Sequence, residues 1–412
     1  VGSGTALTVT VNSGNTSAIV TDGTKIDTLK NIEKIIGGDG NDTFIVSNVS
    51  GINTLDGDGG TNTLQLSGSL DLSSVTLLNF NNILIANGDI LTVNAVNLDG
   101  KTMTIELQGS GSLVIVGTTT ATDFDFDKIT INNTGASQTG TTTLQLDATV
   151  NLVGHNINGT NNIIDKILVN SGTVTLSESQ VTSGTVVVNG AGSTVVEVSS
   201  SSSANYSSIL QLTTPANETV KFTGNSTFTG DFGNSNVVVN SGVTLTTTSS
   251  KTSGKSITGA GNVTLTDSSV SVTNINNVSA VTGVVTAVVT EQDATTLKTL
   301  STNNSDMITV TMAVASTSAA DLNAIDLLTG TSINATAITE LTGTSTAITT
   351  ALASSGITTV ANSTLAVKVD SGTATVTEIN TINNDSATGV LTATVTSGAA
   401  SVLKALTTTS TD

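Results

Sequence analysis

Gly37-Gly38-Asp39-Gly40-Asn41-Asp42-Thr43-Phe44-Ile45 carries the strongest local signal in the chain. It fits the nonapeptide G-G-x-G-x-D-x-U-x, with U apolar, at every defined position: Gly37, Gly38, Gly40, Asp42 and Phe44. Glycines permit a tight turn whose carbonyl oxygens point inward, and Asp42 adds a hard anionic oxygen. Phe44 then enters a strand with its ring in the core. Calcium takes about six to eight oxygens, so one such turn cannot complete a shell and a neighbouring coil must supply the rest. A degenerate second copy follows in Gly57-Asp58-Gly59-Gly60-Thr61-Asn62-Thr63-Leu64. It carries Asn62 where Asp is expected and Asp58 where the second Gly is expected. Upstream, Asp27-Thr28-Leu29 repeats the Asp-x-apolar half without the glycines.

The composition of the whole chain suits this motif. Of 412 residues, 2% are aromatic and 10% charged, with no Trp, no Cys, one Pro (Pro215), one Tyr (Tyr206) and one His (His155). Hydrophobic content is still 37%, carried by Val, Ile, Leu and Ala. That aliphatic load can bury a core, so wholesale disorder is not expected. Small branched side chains fit a pleated surface best, which predicts β-structure. The net charge is −19 and all 12 basic residues are Lys, so the basic patch that nucleic acid needs is missing. An acidic surface suits divalent cations instead. Without Cys there are no disulfides and no thiolate metal sites. No apolar run approaches the ~18 residues of a membrane-spanning helix. The chain starts at Val1 without a charged-then-apolar leader, which suggests a removed signal or a piece of a longer polypeptide.

Internal repeats come next. Asn87–Val116, Asn170–Val198 and Asn240–Leu265 share one plan. Each has an Asn, a short β-branched strand, a polar turn ending in Gly, a second strand, a G-x-G turn and a third strand. Val-Asn-Ser-Gly recurs at Val169–Gly172 and Val239–Gly242, and also at Val11–Gly14. Short strands between Gly/Asn/Ser turns suit a sandwich or a solenoid, and recurrence of whole units favours the solenoid. Composition shifts near Ser269, beyond which strands alternate with short helices. Thr282–Asp306 aligns without gaps on Thr388–Asp412, and the apolar pairs Leu297/Leu300 and Leu403/Leu406 fit short amphipathic helices. Ala320–Leu341 matches Thr377–Gly398 more loosely, giving a unit of roughly 50–60 residues. Three regions follow: residues 1–117, 118–268 and 269–412.

Other motifs carry less. In Asp123-Phe124-Asp125-Phe126-Asp127, strand period puts both Phe on one face and three Asp on the other, a solvated face over a Phe-filled core. His155 lies in a turn-like stretch with no second His or Cys for a zinc site or a thiol dyad. Gly254-Lys255-Ser256 is no P-loop, because Ser249 stands where that loop needs Gly and a strand-like segment follows. No carboxylate has the aromatic and basic neighbours of a sugar-cleaving groove, so no catalytic residue is expected. The sequons at Asn48, Asn205 and Asn217 are chance at this composition.

Asp27–Ile45 resembles the RTX calcium-binding β-roll repeats of bacterial proteins exported by type I secretion. In context it resembles the S-layer proteins and large adhesins that carry them. The resemblance is specific over about residues 22–66; Leu70–Gly100 is similar to the Thr-rich repeats that follow such motifs. It implies calcium held by turn carbonyls and the Asp carboxylate, here Gly37, Asp39 through its carbonyl, and Asp42. Gly57, Gly59 and Asn62 form a second site of weaker charge. The fold expected is mainly β: a right-handed parallel β-solenoid or β-roll over about residues 20–268, then β-rich repeats with short helices. The function expected is a calcium-stabilised, self-assembling S-layer component outside a bacterial cell, a homo-oligomer or lattice of identical subunits that meets cell-surface polysaccharide through a region outside this chain. The alternatives are a stalk segment of a secreted adhesin, an enzyme on a β-helix, and ice binding by Thr arrays, whose spacing here is irregular.

Overall fold

The computed structural model describes residues 4–11, 17–117, 124–134, 138–158, 163–184, 186–359, 365–370, 372–386 and 389–408. Two compact units emerge. One comprises Val1–Val198, Ala204–Val220 and Asp231–Ser235, the other Ser199–Ser203, Lys221–Gly230 and Asn236–Asp412. The Val-Asn-Ser-Gly copy at Val11–Gly14, Asp123, and Asp412 lie wholly or partly outside the described residues.

The first unit opens with β1 (Thr8–Val11), β2 (Ser17–Thr21), β3 (Ile26–Lys30), β4 (Lys34–Gly38), β5 (Thr43–Val46), β6 (Thr54–Asp58) and β7 (Thr63–Leu66). Side chains alternate in β1, β5 and β7, with Phe44, Val46, Leu64 and Leu66 inward, as period-2 patterning requires. β5 pairs parallel with β7 at Thr43↔Thr63, and β4 with β6 at Lys34↔Thr54, both an offset of 20 residues. The same rule continues through the strands Asn82–Ile85, Met103–Gln108 and Ile129–Thr134. A second parallel series links Leu70–Leu72 to six later strands, ending at Leu210–Leu212. From β5 onward in this unit the offset varies from 19 (Thr63 to Asn82) to 29 (Leu113 to Thr142), and β1 pairs with β5 at 35 (Thr8 to Thr43) because the hairpin of β2 and β3 intervenes.

In-register pairing stacks like on like. Val9, Phe44, Leu64, Ile83 and Ile105 form one buried row. Leu72, Val93, Ile115, Leu144, Ile167, Val188 and Leu210 form another, none more than 3% exposed. Each such side chain contributes about 1.5–3 kcal/mol, so a single layer is unstable and stacking is what stabilises it. Phe80 packs edge-on against Phe44 at 5.1 Å.

Two local readings are corrected here. β2 pairs antiparallel with β1 and β3 pairs antiparallel with β2, so Asp27-Thr28-Leu29 lies on an exposed hairpin strand rather than in the parallel series. The cause is the turn at Asp22-Gly23: Asp22 Oδ1 accepts from the N–H groups of Thr24 and Lys25, and Gly23 takes φ +86°. Phe124 and Phe126 are fully buried while Asp125 and Asp127 are exposed, matching the alternation, but that segment is irregular rather than a strand. Asp99 Oδ1 accepts from the Asp125 N–H and ties it to the preceding layer instead.

The second and third of the matched repeats share a structure as well as a sequence. In the first unit, Thr173–Ser177, helix α1 (Glu178–Thr182), Val187–Gly190 and Ser193–Val198 make one. Helix α2 (Tyr206–Ile209) follows in that unit. In the second unit, Thr244–Thr247, α3 (Ser249–Thr252), Ile257–Gly259 and Asn262–Leu265 make another. The polar turn read from the sequence is thus a short helix, and in α1 a capping box between Ser177 and Gln180 starts it. Gly190 and Gly259 occupy the same turn at φ +118° and +109°. A Cβ there would lie 2.1 Å from Val169 O and 2.2 Å from Val239 O, so only glycine fits. The strand after α3 agrees with the rejection of a P-loop at Gly254-Lys255-Ser256.

Beyond Ser269 the second unit keeps its pairing, since Asn262–Leu265 joins Val285–Val288 in parallel. Helices now alternate with strands: α4 (Val272–Asn276), α5 (Ala294–Leu297), α6 (Ala319–Asp326), α7 (Ser345–Ala353), α8 (Val376–Ser386) and α9 (Ala400–Leu403). The gap-free alignment holds, with α5 and α9 each following a strand at equivalent positions, Val285–Val288 and Leu391–Thr392. Leu297 is fully buried, whereas its counterpart Leu403 is 37% exposed. Asparagines on alternate helices staple successive repeats: Asn276, Asn323 and Asn380 donate to Thr299 O, Ala347 O and Ala405 O.

Candidate functional site

The glycine turn Gly37–Ile45 joins β4 to β5, and Gly57–Leu64 joins β6 to β7 one offset further on. Parallel pairing on both sides superposes the turns, with Gly38 opposite Asp58 and Thr43 opposite Thr63. Gly38 has φ +141° and Asp58 φ +60°; aspartate is among the few non-glycine residues that tolerate the left-handed region. Its N–H is tied to Asp56 Oδ1 at 3.0 Å.

Asp42 is 1% exposed. Its Oδ1 accepts from the Leu7 N–H at 2.7 Å, and its own N–H donates to Asn62 Oδ1 at 2.9 Å. The Asn62 N–H in turn donates to Asn81 Oδ1 at 2.8 Å. Asp42, Asn62 and Asn81 are therefore rungs of one ladder, each side chain accepting from a backbone group in the adjoining layer.

The second carboxylate oxygen is different. Asp42 Oδ2 is buried and has no hydrogen-bond partner. A Cβ on Gly37 would lie 2.2 Å from this oxygen and 2.7 Å from Gly57 O, so the glycine leaves room where two acceptor oxygens converge. Burial pushes the Asp42 carboxyl above its ordinary range. The Leu7 N–H pulls it down and the charge of Asp58 pushes it up, and the net is a rise. A buried carboxylate oxygen facing a carbonyl needs a cation or a proton between them.

The register-equivalent corner contains no such conflict. Asn62 is fully buried, and its Nδ2 donates to Gly59 O at 2.9 Å and Asn79 O at 3.0 Å. Asn79, at φ +56°, is held by its own Nδ2 donating to Asp56 Oδ1 at 2.8 Å. Asp56 is also 3.5 Å from Lys34 Nζ. Burial alone would raise the Asp56 carboxyl, but the Asn79 amide, the Asp58 N–H and Lys34 together bring it below its ordinary value.

The structure thus brings Gly37, Asp42 and Gly57 to one corner and pairs Gly59 with Asn62 at the next. The Asp39 side chain is exposed, and its backbone stands beside Gly59. Leu7, Asn79 and Asn81 were not found by sequence reasoning. Leu7 lies 35 residues before its partner, and the two asparagines sit outside any glycine motif. Among the described residues no three His, Asp or Glu side chains converge, so any ion here would rely on backbone oxygens. His155 sits half-buried beside Asn158 and Gln180 in a shallow cavity of about 420 Å³. No helix is long and apolar enough to cross a membrane among the described residues. No family model matches the sequence, and neither the curated proteins nor the solved structures yield a match.

Proposed function

We propose that this chain is a right-handed parallel β-solenoid, continued by strand–helix repeats, that serves as a calcium-stabilised, self-assembling component of a bacterial surface layer outside the cell. The observation that carries the reading is the buried, unpartnered Oδ2 of Asp42 set against the Gly57 carbonyl inside a complete glycine motif. Asp42 Oδ2, Gly57 O and the Asp39 carbonyl, counterpart of Gly59 O, are the oxygens that would hold the ion. Calcium, when bound, supplies the positive charge that joins these acceptors. The Leu7 N–H fixes the carboxylate through Oδ1, Asn62 Oδ1 anchors the Asp42 backbone, and Gly37 leaves the space. Because the site is assembled from two layers, binding favours only the folded chain and couples folding to extracellular calcium.

The stacked parallel layers support a structural role, since each buries an aliphatic row and turns Thr, Ser and Asn outward. A stalk segment of a secreted adhesin is the second reading, favoured by the same layers. Electron microscopy of the purified protein separates the two. Two-dimensional sheets on adding calcium are expected for a surface layer, and soluble monomers support the stalk. A melting curve unmoved by chelator, with no sheets at any calcium concentration, would overturn the calcium-driven assembly.

A further inference from the structure

The two superposed corners differ in the group that meets the carbonyl. At the first, a Cβ built on Gly37 would lie 2.2 Å from Asp42 Oδ2 and 2.7 Å from Gly57 O; at the second, a Cβ built on Gly57 would lie 2.5 Å from Asn62 Nδ2 and 2.6 Å from Asn79 O. We infer that the Asn62 amide takes the place of a cation: the turn Gly57–Leu64 is closed by this side chain, and Asn62 limits the pair of turns to a single ion at Asp42. The inference rests on the calcium reading for the first corner only.

Two carbonyl oxygens can be joined by a cation or by N–H donors. Asn62 does the second, its Nδ2 reaching Gly59 O and Asn79 O from a fully buried position. Both donor hydrogens of that amide are thereby used, and its Oδ1 is used by the Asp42 N–H. No donor is left over, its oxygen already has a partner, and no charge is buried. At Asp42 the same accounting leaves one acceptor over, Oδ2, with a second acceptor beside it. Asn62 is therefore an uncharged strut that makes its corner independent of metal. Asn79 serves the strut: its left-handed backbone and its bond to Asp56 turn its carbonyl to the amide. The substitution that removes a ligand charge is thus also one that supplies a bond.

The test is Asn62→Asp in the full chain, with Asp42→Asn and the double variant beside it. Calcium is counted by equilibrium dialysis, and melting is followed in chelator and in calcium. Asn62→Asp is expected to bind one more calcium ion than the parent, and its midpoint in chelator to fall by about 2–10 °C, with recovery in calcium. Asp42→Asn should bind one ion fewer, and the double variant as many as the parent. An Asn62→Asp protein with an unchanged midpoint in chelator would overturn the strut, whatever the calcium count. A parent protein that binds no calcium at Asp42 overturns the proposed function instead, while the chelator arm still decides the role of the amide.

Discussion

Asp42→Asn should make the protein more stable without calcium and deaf to calcium. The substitution keeps Oδ1 as the acceptor for the Leu7 N–H and replaces the orphaned Oδ2 by an amide. Gly57 O stands where that amide can donate, as Asn79 O does for Asn62. A buried acceptor left without a partner costs about 1–3 kcal/mol, so at neutral pH in chelator the variant gains about that much. For a unit of about 200 residues each kcal/mol moves the midpoint by about 2–4 °C, which gives a rise of about 2–10 °C. Calcium at about 100 times its Kd would add about 2.7 kcal/mol to the parent and nothing to the variant. Thermal unfolding can be followed by Tyr206 emission, since this fully buried residue is the one Tyr of a chain without Trp. The two curves of the variant should coincide, above the parent in chelator. A variant that melts below the parent in chelator would mean that Oδ2 has a favourable partner, and the orphaned oxygen would be ruled out as a source of instability.

Three further outcomes follow from other parts of the structure. The raised Asp42 carboxyl holds its proton where the unfolded chain, near 3.8, has lost it, so its contribution in chelator is present at low pH and is lost as pH rises from 3.8 through the folded value. Asp22, lowered to about 2, and Asp56, also lowered, act with the opposite sign, their contributions being lost as pH falls below 3.8; pH titration of the midpoint with Asp42→Asn as reference isolates the first slope. Gly190→Ala should cost about 2 kcal/mol or more by urea unfolding, because its Cβ meets Val169 O. Gly242→Ala, in open space at φ +76°, should cost about 1, and equal costs would count against the close approach.

Much of the architecture was legible because its signals are local. The Gly-x-Gly turns around Gly190 and Gly259 and the alternation through Phe44 and Val46 each depend on a few adjacent residues. The gap-free match of Thr282–Asp306 with Thr388–Asp412 puts α5 and α9 at equivalent positions, each helix ending at the first leucine of its pair, Leu297 and Leu403. Residues whose role depends on the neighbouring layer were not legible. The two bonds that the Asn62 amide donates, to Gly59 O and Asn79 O, were not legible, because a one-dimensional motif scores a missing charge and not donors. The hairpin of β2 and β3 escaped because Asp22-Gly23 is a short turn signal beside a Val/Ile run that suits either pairing direction. The helix α1 was overlooked although Ser177-Glu178-Ser179-Gln180 spells its capping box; five residues generate no periodicity to notice.

The register of the parallel pairing also makes each unit a ruler of unequal divisions under load. Layers with an offset of 20 residues, such as β5 and β7, are joined edge to edge by backbone bonds, and force on the chain would strip them singly rather than shear the unit at once. Each layer released pays out about 70 Å of extended chain, at ~3.3–3.6 Å per residue. The longer step between Leu113 and Thr142 pays out about 100 Å. Pulling on single molecules should therefore give a sawtooth whose spacings reproduce the order of connections. A material built this way yields in small increments and keeps most of its layers intact.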